Sequence, residues 1–167
     1  MNTSYTADDI IRLLDLKPLT IEGGFFRETY RSPALVELPL YRGQRCLATA
    51  IYYLLTPDTF SRMHRVPGEE VFHFYLGDPA EMLQLNPDGS GDIITMGQDI
   101  AAGMKLQHVV PGAWWQGARL KPGGRFALMG TTMSPGFEYE DYEVGKREEL
   151  GKEWRGFAKI IEALCVS

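Results

Sequence analysis

Apolar and polar positions follow two different periods along the chain. Over 6–16, TADDIIRLLDL, the residues Ile10, Ile11, Leu13, Leu14 and Leu16 recur at helical spacing behind Thr6 and two aspartates, which predicts a capped amphipathic helix ending at Lys17-Pro18. From Gly23-Gly24 to about residue 132 the helical period disappears. Short β-branched and aromatic runs alternate there with Pro, Gly and Asp punctuation, which predicts strands near 25–31, 46–55, 59–66, 70–76, 80–86, 92–96, 105–110, 114–120 and 125–132. Pro67-Gly68, Asn86-Pro87-Asp88-Gly89, Pro111-Gly112 and Pro122-Gly123-Gly124 supply the turn chemistry between them. Helical spacing resumes over 145–164, interrupted near Gly151 and Gly156, so one or two short helices close the chain. Consecutive strands without an intervening helix predict an all-β sandwich or barrel, with its body at about 23–143.

Composition narrows the functional classes. A length of 167 residues, with 44% hydrophobic and 23% charged, suits a single packed domain over 1–167. The formal charge of −5 argues against a surface that tracks phosphates, so no nucleic-acid partner is expected. No apolar run reaches the length of a membrane helix, and MNTSYTADD lacks the order of a signal peptide. The expectation is a cytoplasmic protein without membrane attachment. Cys46 and Cys165 lack metal-type or redox-type spacing and read as free thiols.

The chemistry concentrates in FSRMHRVPGEEVFHFYLGDP at 60–79. Side chains alternate across a strand, so Arg62, His64 and Val66 should share one face, and Glu70, Phe72 and Phe74 one face of the next strand. A hairpin at Pro67-Gly68 then aims an imidazole and a carboxylate at a common point. An inward carboxylate needs a cation or hydrogen-bond donors. Arg62 is one candidate for that cation, and a metal is the other.

These residues resemble the first motif of the cupins, His-x-His, three or four residues, Glu, six residues, Gly. Here His64, Glu70 and Gly77 keep the spacing, while Val66 stands at the second histidine. The second motif, Pro-x-Gly-x-x-His, corresponds to Pro111-Gly112-Ala113-Trp114-Trp115-Gln116, with Gln116 at the last ligand position. GGFFRETYRS, AIYYLL, VVPGAWWQ and SPGFEYEDYEVG, taken together, make the chain similar to the cupin-5 family, long labelled a domain of unknown function. The resemblance implies a double-stranded β-helix, the jelly-roll cupin barrel, with short terminal helices and commonly a homodimer. Val71, His73 and Tyr75, on the outward side of their strand, suit such a contact. It also implies a metal position at His64, Glu70 and Gln116, where zinc, manganese, iron or nickel would be held incompletely.

Three readings of function stay open. In the first, an enzyme moves protons on a small polar, anionic metabolite such as a sugar derivative or nucleotide. His64 is then the base, Glu70 tunes it and Tyr52 returns the proton. Arg62, Gln116 and Arg27 orient substrate oxygens, Phe72 and Trp114 form apolar walls, and Phe137 and Glu138 make rim contacts implied by the resemblance. In the second, the same pocket binds or senses a small molecule without chemistry. In the third, a weakly held metal takes part.

Overall fold

The computed structural model describes residues 5–166. Thr6 caps helix α1 (Ala7–Leu13) reciprocally with Asp9: the Thr6 hydroxyl accepts from the Asp9 amide, and the Asp9 carboxylate accepts from the Thr6 amide, both at 3.1 Å. The helix stops earlier than the apolar spacing predicts, because Asp15 turns left-handed at φ 49°. Leu16 nevertheless stays in the core at 3% exposure.

The strands are β1 (Lys17–Pro18), β2 (Phe25–Arg31), β3 (Leu35–Glu37), β4 (Gln44–Cys46), β5 (Thr49–Leu55), β6 (Phe60–Arg65) and β7 (Glu70–Gly77). They continue as β8 (Ala80–Leu85), β9 (Gly91–Met96), β10 (Gln107–Val110), β11 (Trp115–Leu120), β12 (Ala127–Met133) and β13 (Glu143–Val144). Every predicted strand has a counterpart, but the 46–55 segment divides. Its first residue ends β4, in a separate β3–β4 pair, and the rest forms β5.

One sheet has the order β1-β2-β5-β12-β7-β10 and the other β13-β6-β11-β8-β9, with antiparallel pairing throughout both. They face each other as a jelly roll. Tyr53, Phe72, Phe74 and Met129 from the first sheet meet Met82, Ala118 and Leu120 from the second. The outer faces are covered as well. Helix α1 packs Ile10 on Leu54 and Leu128, while Leu150, Trp154 and Ile161 near the C-terminus pack on Met63, Leu83 and Leu85. Strands covered on both faces carry unbroken apolar runs, which is why Tyr53, Leu54 and Leu55 are all buried in succession.

The closing helices are α2 (Arg147–Glu153) and α3 (Ala158–Ala163), joined by a 3-10 turn over Arg155–Phe157. Gly151 does not interrupt α2. The break falls at Trp154, which leaves helical geometry at ψ 62° and donates its indole N–H to the Asn86 carbonyl at 3.0 Å. Tertiary docking therefore sets this boundary. Among the described residues no helix is long and apolar enough to cross a membrane.

The turn before β2 depends on Gly23. Its φ is 109°, and a Cβ there would overlap the Phe60 carbonyl oxygen. Gly23→Ala should destabilise the fold by about 3 kcal/mol, combining left-handed strain with a backbone clash. Urea unfolding measures this, and a loss below about 1 kcal/mol would show that the turn relaxes freely.

Candidate functional site in the barrel

The β6–β7 hairpin brings His64 and Glu70 to the wall of one cavity, with about 630 Å³ of atom-free space including its open mouth. Both are buried, at 2% and 9% exposure. Strand β6 reaches this arrangement through an irregularity. Gln116 pairs with His64, yet Ala118 pairs with Ser61, so β6 contains one residue more than its partner β11 between these points. Ser61 and His64 consequently both reach Glu22, three positions apart.

That extra residue overturns the expected place of Arg62. The side chain is not on the cavity wall, and among the described residues it forms no ion pair with Glu70. Its guanidine Nε is buried without a hydrogen-bond partner among those residues, and its carbonyl takes the His64 Nδ1 proton at 2.8 Å. Glu70 instead accepts from the Gln116 amide, Nε2 to Oε2 at 2.7 Å. Burial pushes the Glu70 carboxyl above its usual range and Glu22 adds to this, while His64, Gln116 and Thr131 act in the opposite direction.

The sign of this shift leads to a stability prediction. Between the ordinary carboxylate range and the raised native value, the folded chain binds more protons than the unfolded one, so Glu70 costs stability as pH rises through that interval. Glu70→Gln cannot titrate. Its stability relative to the unmodified chain should therefore improve from pH 4 to pH 8, as read from urea unfolding midpoints. A constant difference would mean that burial does not control this carboxyl.

Glu22 and Tyr142 flank His64; Glu22 lies outside every segment singled out in the sequence, and Tyr142 lies within SPGFEYEDYEVG without an assigned role there. Glu22 lies in the Leu19–Gly24 turn and lines the cavity. It accepts the Ser61 hydroxyl at 2.5 Å through Oε1, and its Oε2 stands 3.9 Å from His64 Nε2. Strand β13 pairs with β6 and brings Tyr142 onto the imidazole, with ring centroids 4.7 Å apart and planes 17° from parallel. The Tyr142 hydroxyl is buried without a hydrogen-bond partner among the described residues, and burial, then Glu22, pushes its ionisation far above the ordinary range. Arg45, itself 3% exposed, holds the preceding segment through paired contacts to Asp141 at 2.8 Å each.

Strand β2 presents a different set of residues from those expected. Its register shifts between Glu28 and Tyr30, so Phe26, Glu28 and Arg31 line the cavity. Arg27 lies on the other face, 5.5 Å over the Tyr52 ring. Tyr52 is also outside, edge-on to Tyr75 and packed in the cluster that includes α1. Its neighbour Tyr53 points inward and donates to the Gly23 carbonyl at 2.9 Å. The expected pocket roles of Arg27 and Tyr52 are therefore corrected: the guanidinium on the wall belongs to Arg31.

Phe72 is buried in the inter-sheet core, and Trp114 packs against that core, but neither lines the cavity. Phe137 does line it. Glu138 holds Arg31 at the rim at 2.5 Å, beside a second contact from Arg31 to Glu28 at 2.9 Å. Ala113 adopts φ 64° at the position where the cupin motif carries glycine. The turn thus keeps its left-handed shape without the residue that adopts it at least cost.

The donor set does not fit a resident metal ion. Val66 lines the wall without a donor atom, and the Gln116 amide nitrogen is engaged by Glu70. Among the described residues no three His, Cys, Asp or Glu side chains group as metal ligands. Within the expected ligand set, Glu70 and Gln116 are hydrogen-bonded to each other, and His64 to the Arg62 carbonyl.

Comparison with known proteins agrees with this architecture. The model of a family described as Cupin superfamily (DUF985), Cupin_5, matches residues 8–145. An uncharacterized protein of Saccharomyces cerevisiae, YML079W, is 32% identical over 154 residues, covering 84% of this chain and 76% of the yeast protein. A hypothetical protein from Leishmania major superposes with a TM-score of 0.90 at 26% identity, covering 98% of this chain and 100% of the other. Protein SO0799 from Shewanella oneidensis gives 0.87 at 31% identity, with 97% and 98% coverage. Oxalate decarboxylase from Bacillus subtilis gives 0.53 at 16% identity, over 86% of this chain and 35% of that longer one, a likeness of fold alone.

Proposed function

Because the chain belongs to the cupin-5 family, we propose that its barrel cavity is the active site of an enzyme that moves protons on a small polar molecule, as an epimerase or isomerase does. One observation carries this reading. His64 Nδ1 lies 2.8 Å from the Arg62 carbonyl, which can only accept, so Nδ1 carries a proton and Nε2 is the nitrogen that can act as base. That nitrogen faces Glu22 across 3.9 Å, close enough for the carboxylate to stabilise the imidazolium formed when a proton is taken. Ser61 fixes the carboxylate. Tyr52, on the outer face of its sheet, does not take the proton-returning role first expected of it.

Deuterium wash-in tests this even while the substrate is unidentified. Incubated in D2O with fractionated metabolites, the protein should place deuterium at a carbon position of at least one compound, detected as a one-unit mass increase. A fraction that raises the melting temperature but takes up no deuterium would favour the binding or sensing reading. The depleted ligand set at Val66 and Gln116 is what keeps that reading in view.

A further inference from the structure

Resting on that reading of the cavity, we propose that its ligand carries a primary ammonium group, with the nitrogen on Glu22 and the carbon that bears it beside His64. Glu22 Oε2 and His64 Nε2 are 3.9 Å apart, beyond hydrogen-bond reach of each other. A C–N unit spans that gap. With a bond of about 1.5 Å, its nitrogen can sit about 2.8 Å from the carboxylate oxygen while the carbon approaches the imidazole. Glu22 receives Ser61 on its other oxygen, and the neighbouring Tyr53 hydroxyl donates to the Gly23 carbonyl, so Oε2 can receive a ligand donor.

The charge of the wall selects an amine over an anion. Of the three lining carboxylates, Glu28 is paired with Arg31, the single guanidinium among the described lining residues, and Glu70 accepts from Gln116, which leaves Glu22 as the carboxylate that faces a ligand. Arg31 is not available to an incoming phosphate or carboxylate, because Glu28 and Glu138 hold it at 2.9 and 2.5 Å and the Phe137 carbonyl takes a further N–H at 3.1 Å. Phe26, Phe137 and Tyr139 supply aromatic lining that favours a cation once it leaves water. A hydroxyl could donate to Glu22, but it would gain nothing from the charge of that carboxylate.

Three probes on one carbon skeleton separate these chemistries: 2-amino-1,3-propanediol, glycerol and glycerol 2-phosphate. Ligand-observed NMR titration of the unmodified chain should rank the amine roughly tenfold above glycerol, with the phosphate ester undetected. Glu22→Gln should remove about that tenfold advantage, bringing the amine to the level of glycerol on the same variant. Equal binding of amine and glycerol, preference for the phosphate, or no binding of the amine would each overturn the proposal. The ranking on the unmodified chain needs no variant, so misfolding of Glu22→Gln cannot obscure it. Binding preference and deuterium wash-in fail independently: an amine-selective cavity without wash-in retains the ligand class and removes the proton chemistry, whereas wash-in on amine-free compounds does the reverse.

Discussion

His64→Gln should lower deuterium wash-in by about two to four orders of magnitude while leaving the fold intact. Glutamine is polar, of similar length, and able to donate to the Arg62 carbonyl that now receives Nδ1. Its amide has no basic nitrogen, so the step that takes the proton is lost. Glu22 keeps its Ser61 bond, and the Tyr142 ring keeps a planar group to stack on. The unfolding midpoint should move by no more than about 1 kcal/mol in stability. The loss should appear in kcat, with KM little affected, because the base acts on the proton and contributes little to holding the molecule. Wash-in persisting above about a tenth of the original rate would assign the base to another group.

The second large effect is a gain. Val66→His combined with Gln116→His should convert this part of the barrel into a metal centre, with zinc or nickel affinity rising by about a thousandfold over the unmodified chain. Val66 already lines the cavity wall at 5% exposure. Gln116 is 1% exposed, pairs in register with His64, and places its amide 2.7 Å from the Glu70 carboxylate. Two added imidazoles would join one imidazole and one carboxylate, and removing the Gln116 amide would leave Glu70 in need of a cation. Competition against a chromophoric chelator reads the affinity directly. Unchanged affinity in a folded double variant would mean that these four positions do not converge.

The hairpin chemistry was legible in the sequence because it is local. Six residues separate His64 from Glu70 across a Pro-Gly turn, and alternation gives each a side. The same rule failed for Arg62, because a single extra residue in β6 lets Ser61 and His64, not Arg62, reach Glu22. In β2 alternation left the inward face open: the face of Phe26 and Glu28 turns in and that of Arg27 turns out, and an extra residue beyond Glu28 then brings Arg31 to the wall. Nothing in RETYR or FSRMH marks those shifts. Tyr142 was hidden differently, since FEYEDYE has the charge density of a solvated loop. It is ordered by Arg45 and Arg65, from distant parts of the chain, through Asp141 and Glu143.

By itself the sequence determined an all-β sandwich or barrel, the capped first helix and the hairpin that joins imidazole to carboxylate, while the jelly roll and the two absent metal donors at Val66 and Gln116 followed from its resemblance to the cupins. Those properties depend on period, turn chemistry and residue type, which are written locally. Only the tertiary structure decided that Glu22, Ser61 and Tyr142 gather around His64, that Gln116 satisfies Glu70, and that Arg31 is already held by carboxylates. These are meetings between segments far apart in the chain, set by strand register across a closed barrel, and one residue of shift in register exchanges an inward side chain for an outward one.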